Sequence, residues 1–133
     1  MASARLAAII VLSVVAVAPT ASAQDLHAQA EARVSELGAE LQVHSGLARA
    51  KGAEAQKALQ AGDKASACTL YKTSRAETAT ILGLLTQQRE QIMLASPDAA
   101  TAIGRANRVD EQTGAWMTLA GQLDQRIALA CES

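Results

Sequence analysis

Apolar side chains recur every third or fourth residue, or at multiples of that step, through most of this chain. Val34, Leu37, Leu41, Ala48, Ala55 and Leu59 form one such series, which places them on a single face of a helix turning once every 3.6 residues. The spacing predicts a long first helix over about 25–61. Gly62 and Asp63 then interrupt the series, as a helix-ending glycine and a helix-starting aspartate do. A second series, Cys68, Tyr71, Thr78, Leu82, Leu85 and Ile92, predicts a helix over about 64–94. A third runs through Ala106, Val109, Thr113, Trp116, Ala120, Leu123 and Ile127, with Cys131 one turn beyond. At the junction between the last two helices, Ser96 suits an N-cap, Pro97 the first helical position and Asp98 the positive end of the helix dipole.

Three helices joined by short turns must run antiparallel, so the expected fold class is an all-α antiparallel three-helix bundle. Composition agrees. Beyond the first 23 residues the chain has no Phe, a single Pro and no alternating Val/Ile/Thr run, while Ala, Gln, Leu, Glu and Arg dominate; these are helix formers and poor strand formers. Glycines including Gly38, Gly52, Gly83, Gly104, Gly114 and Gly121 fall inside the predicted helices. Of these, Gly83, Gly114 and Gly121 adjoin apolar series and are expected at close helix contacts.

The first 23 residues read differently. Arg5 precedes an apolar run from Leu6 to Ala18, interrupted only by Ser13, and then Pro19 and Ala21-Ser22-Ala23. This is the anatomy of a cleaved secretory leader, and a run of 13 residues is well short of the roughly 20 that span a bilayer. The expected organisation is a leader over 1–23 and one helical domain over 24–133, periplasmic or secreted, with no stable membrane insertion once the leader is removed. An exported chain with two cysteines favours pairing them, so Cys68 and Cys131 are expected to form a disulfide.

That bridge constrains the register. Twenty-six residues separate Cys68 from Leu94 and 34 separate Pro97 from Cys131, a mismatch of about 12 Å at 1.5 Å per helical residue. A short separate helix over 97–103, broken off at Gly104, would remove it, since Arg105 lies 26 residues before Cys131. This arrangement predicts Ile103 covering Ile92 or Met93, and Trp116 lying against Gly83.

The segment AGDKASACTLYK resembles the turn and second-helix start of a tetratricopeptide repeat at Gly62, Asp63, Ala67 and Tyr71, with Ala55 where such a repeat has a small residue. The flanking helices exceed a roughly 34-residue repeat and no second copy follows, so the likeness is one of helical-hairpin chemistry. LTQQREQI, residues 85–92, is similar to the Leu-Thr-x-x-Gln signature of small all-helical periplasmic chaperones, with Arg89 where that spacing has Gln.

Charge and chemistry narrow the functional classes. Without Arg5 the chain has 11 Lys and Arg against 13 Asp and Glu, and its aromatics beyond the leader are Tyr71 and Trp116, both on core series. There is neither a basic stripe nor a stacking platform for nucleic acid. His27 with Glu31, and Glu40 with His44, each place two ligand types on one helix face, short of the three or four a metal site requires. Asp110 and Glu111 are adjacent, but neighbours on a helix diverge by about 100° and do not share a substrate atom. No cofactor and no enzymatic activity are expected. The surplus of apolar residues on the second helix, Ile81, Leu84, Met93 and Leu94, marks a candidate interaction face for a protein partner or self-association. The leading expectation is a protein acting by contact, as adaptor, inhibitor or chaperone-like factor; the alternative is a small-molecule or metal carrier using the bundle interior.

Overall fold

A computed structural model describes residues 22–132. The expected leader lies outside them as far as residue 21. The described chain is three long helices, α1 (Ala23–Gln60), α2 (Lys64–Ala95) and α3 (Ala99–Ala130), with no strand among the described residues.

Each helix start is fixed by a side chain that satisfies free backbone N–H groups. Ser22 and Asp25 form a reciprocal capping box at α1, so α1 starts just upstream of the expected boundary at Gln24. Asp63 accepts from the Ser66 N–H at 3.0 Å to start α2. Asp98, rather than Ser96, caps α3, accepting from the Thr101 N–H at 2.8 Å. Ser96 instead closes α2: its hydroxyl donates to the Ile92 carbonyl at 2.7 Å, and its extended backbone is what a following proline imposes. The turn after α1 ends the helix with Asp63 N–H donating to Ala58 O and Gly62 N–H to Leu59 O, a Schellman arrangement. Gly62 adopts φ 79° there, the one positive φ among the described residues.

The disulfide between Cys68 and Cys131 is formed, with the Cα atoms 5.0 Å apart. Seven residues on from Cys68, Arg75 pairs with Asp124, seven back from Cys131; fourteen further on, Arg89 pairs with Asp110, fourteen further back. The α2–α3 register is therefore constant along the hairpin and sets Leu94 beside Arg105. The expected short helix over 97–103 does not exist: α3 continues unbroken through Gly104. The mismatch is taken up outside the helices. Residues 99–103 project past the end of α2, a rise of about 7 Å, and the connection climbs that distance because Ser96 and Asp98 are both extended, at up to ~3.5 Å per residue. Ile103 consequently stands 56% exposed, and Met93, one of the two residues it was expected to cover, is 46% exposed.

Packing is uneven. α1 and α3 each lie along α2 and approach one another much less closely. One apolar cluster joins Ala48, Ile81, Leu85, Ile92 and Val109, with Val34, Leu41 and Trp116 against it; a second, at the disulfide end, joins Ala55, Ala67, Tyr71, Leu123 and Ala130. Near their junction the α1–α2 contact is polar and small: the buried Ser74 hydroxyl donates to the Ala48 carbonyl at 2.8 Å, and a Cβ on Gly52 would lie 3.5 Å from that hydroxyl. The close approach thus falls at Gly52 and Gly38. Nothing lies within 4 Å of a Cβ built at Gly83, Gly114 or Gly121, so the expected contacts there, and the indole over Gly83, are absent. Trp116 keeps the expected height along the bundle and turns toward α1, where Arg49 lies.

Candidate functional site

The candidate interaction face on α2 divides. Ile81 is fully buried and Leu84 is 6% exposed, whereas Met93 and Leu94 are 46% and 60% exposed. The surplus apolar width of α2 is explained by its central place: with a helix on each side it buries a wider arc than either neighbour. Ile81 and Leu84 therefore belong to the core, and the exposed part shrinks to the end of the helix. There Leu94 and Gln91 face Leu26, His27 and Ala30 across a small groove of about 400 Å³.

The metal-ligand pairs disperse among ion pairs. Glu31 binds the Arg105 guanidinium through both oxygens at 2.8 and 2.9 Å. Glu40 faces Arg33, and His44 Nδ1 meets Glu77 Oε2 across the α1–α2 seam. Among the described residues no three His, Cys, Asp or Glu side chains gather in one place. Asp110 is held by Arg89.

A larger groove opens where α1 and α3 fail to meet. One face of α1 supplies Gly38, Leu41, Gln42, Ser45, Gly46 and Arg49; α2 supplies Gln88 as floor, and α3 supplies Gln112, Ala115 and Trp116. It encloses about 670 Å³ and is open to solvent. The six α1 residues are three, one, three, one and three apart, the spacing of a helix face. Gly46 removes side-chain volume from that face with nothing within 4 Å of its missing Cβ. Gln88 is anchored by donating to the Val34 carbonyl at 3.4 Å. Trp116 packs its body on the apolar cluster and carries the Arg49 guanidinium 5.8 Å from its ring centre. The Glu31–Arg105 pair bridges α1 and α3 beyond one end of the groove.

No known family, characterised protein or solved structure matches this chain. The groove's chemistry is consistent along its length: three carboxamides and a hydroxyl that both donate and accept hydrogen bonds, one cation, one indole and no carboxylate. The arrangement offers hydrogen-bonding groups to a polar chain and an indole to an apolar side group.

Sequence reasoning placed Trp116 on the core series, and half of the residue belongs there. It did not single out Gln42, Ser45, Gly46, Arg49, Gln88 or Gln112. The signal available was Gly38 and Gly46, two turns apart on a polar and small face beside the core stripe. Such a face reads as ordinary solvated surface until the separation of α1 from α3 is known.

Proposed function

We propose that this protein acts by non-covalent contact, as an adaptor, inhibitor or chaperone-like factor, and that its contact surface is the α1–α3 groove, which takes a polypeptide segment of a partner. We place it in the periplasm or outside the cell; the disulfide supports an oxidising compartment, and no helix among the described residues is long and apolar enough to cross a membrane. The observation that carries the reading is that Gln42, Gln88 and Gln112, one from each helix, line a single groove with Trp116. A carboxamide offers one acceptor and two donor hydrogens, the complement of a peptide unit, and an indole gives a neighbouring apolar side chain a surface to pack on.

Gly46→Leu tests this. The substitution fills open space in the groove and replaces glycine by a better helix former, so stability is expected to rise by up to ~1 kcal/mol. Native mass spectrometry of protein purified from its own source is expected to show a bound polypeptide on the wild type and none on the variant. A partner retained by Gly46→Leu would remove the groove from the account, and a small-molecule adduct in place of a polypeptide would turn the reading toward a carrier.

A further inference from the structure

Resting on the groove as the contact surface, we infer that the segment it holds is extended and bears an acidic side chain that pairs with Arg49. Two independent observations lead there, one of hydrogen-bonding groups and one of charge.

From Gly38 to Arg49 the α1 wall rises about 16 Å at 1.5 Å per residue. Along that wall one extended chain spans about five residues at ~3.3 Å each. Extended backbone also leaves its own N–H and C=O groups free for the glutamines, whereas a helix has already used them.

Charge selects the side chain. Arg33, Arg75, Arg89 and Arg105 each pair with a carboxylate; of Arg49, Arg108 and Arg126, which do not among the described residues, Arg49 lines the groove. Arg49, on the groove wall, has no carboxylate within ion-pair distance among the described residues, and no acidic side chain lines the groove. Its guanidinium instead lies over the Trp116 ring. That contact engages no carboxylate, so the guanidinium keeps N–H donors for two parallel hydrogen bonds to one. Arg49 can therefore take an Asp or Glu of the segment without leaving the indole, and the indole limits the directions that edge can face. An acidic side chain is favoured over a chain terminus because the groove is open along its length, so an internal segment can enter it sideways.

The test uses the full disulfide-bonded protein and three acetylated, amidated pentapeptides, Ala-Leu-X-Leu-Ala with X as Asp, Asn or Lys. The chain's one Trp is Trp116, so its fluorescence reports occupancy directly. The Asp peptide is expected to bind about fivefold tighter than the Asn peptide at low salt, the scale of a partly exposed ion pair, and the Lys peptide to bind weakest. Arg49→Gln is expected to abolish the Asp preference, so that the Asp and Asn peptides bind the variant alike. Equal binding of Asp and Asn peptides would overturn the acidic preference and leave the groove reading standing. Binding of none of the three would overturn both. A preference that survives Arg49→Gln would place the carboxylate elsewhere. An Asn peptide with a free C-terminus that matched the amidated Asp peptide would assign the carboxylate to a chain end and overturn the side-chain assignment.

Discussion

Asp63 and Asp98 show how single side chains set the ends of these helices and give them a pH dependence. Hydrogen bonds from the Ser66 hydroxyl and N–H hold the Asp63 carboxyl below its ordinary 3.8. The Thr101 N–H, then its hydroxyl, do the same for Asp98. Both groups bind protons less readily folded than unfolded, so their contribution is fully present above the unfolded value and is lost as pH falls from about 3.8 through the folded one. Melting temperatures measured from pH 7 to pH 3 are expected to hold steady and then drop below about pH 4. Asp98→Asn retains a capping oxygen and is expected to flatten that drop, while Asp98→Ala lowers the melting temperature at neutral pH by a few degrees. A wild-type profile unchanged down to pH 3 would show that the charge on neither cap contributes to stability over that range.

Two glycines separate what a helix interior needs from what a turn needs. Gly104 lies within the continuous α3, with nothing within 4 Å of its missing Cβ, and Gly62 sits at φ 79° in the turn between α1 and α2. Gly104→Ala is expected to raise unfolding free energy by up to ~1 kcal/mol; Gly62→Ala is expected to lower it by about 1–2 kcal/mol, because a Cβ in the left-handed region crowds the following carbonyl. Urea unfolding measures both. Destabilisation by Gly104→Ala would mean that α3 bends there after all. The register of the α2–α3 hairpin was recoverable from the cysteines, because a disulfide tolerates only a narrow Cα separation. The break that seemed necessary to reach it was not, because three residues between helices, two of them extended, cover an offset that a compact turn leaves open.

For the molecule as a unit, the disulfide is the strongest constraint on the unfolded chain. It spans 63 residues of sequence and so contributes about 4 kcal/mol in the chain-entropy treatment, large against the few kcal/mol that hold a small domain together. Cys68→Ser with Cys131→Ser, or reduction, is expected to lower unfolding free energy by about that amount in urea titrations followed by Trp116 fluorescence. An unchanged midpoint would show that the packing of Tyr71, Leu123 and Ala130 closes that end of the bundle without the bridge. The opposite end is fastened less firmly: Arg105 and the 52%-exposed side chain of Glu31 cross from α3 to α1 there, and Met93, Leu94 and Ile103 remain exposed.

Helix number, order and approximate ends were legible in the linear chain because periodicity, Gly62-Asp63 and Ser96-Pro97-Asp98 act within a turn or two of backbone. The cysteine pairing was legible because it required only two thiols at one end of an antiparallel hairpin. Burial of Ile81 and Leu84, the open space around Gly83, and the groove between α1 and α3 were not. Each depends on which helix lies in the middle, and an amphipathic stripe states that a face is covered without stating by how many neighbours. Placing α2 centrally widened its buried arc, took Ile81 and Leu84 off the surface, and left Gln42, Gln88, Gln112, Arg49 and Trp116 along a gap that no local pattern encodes.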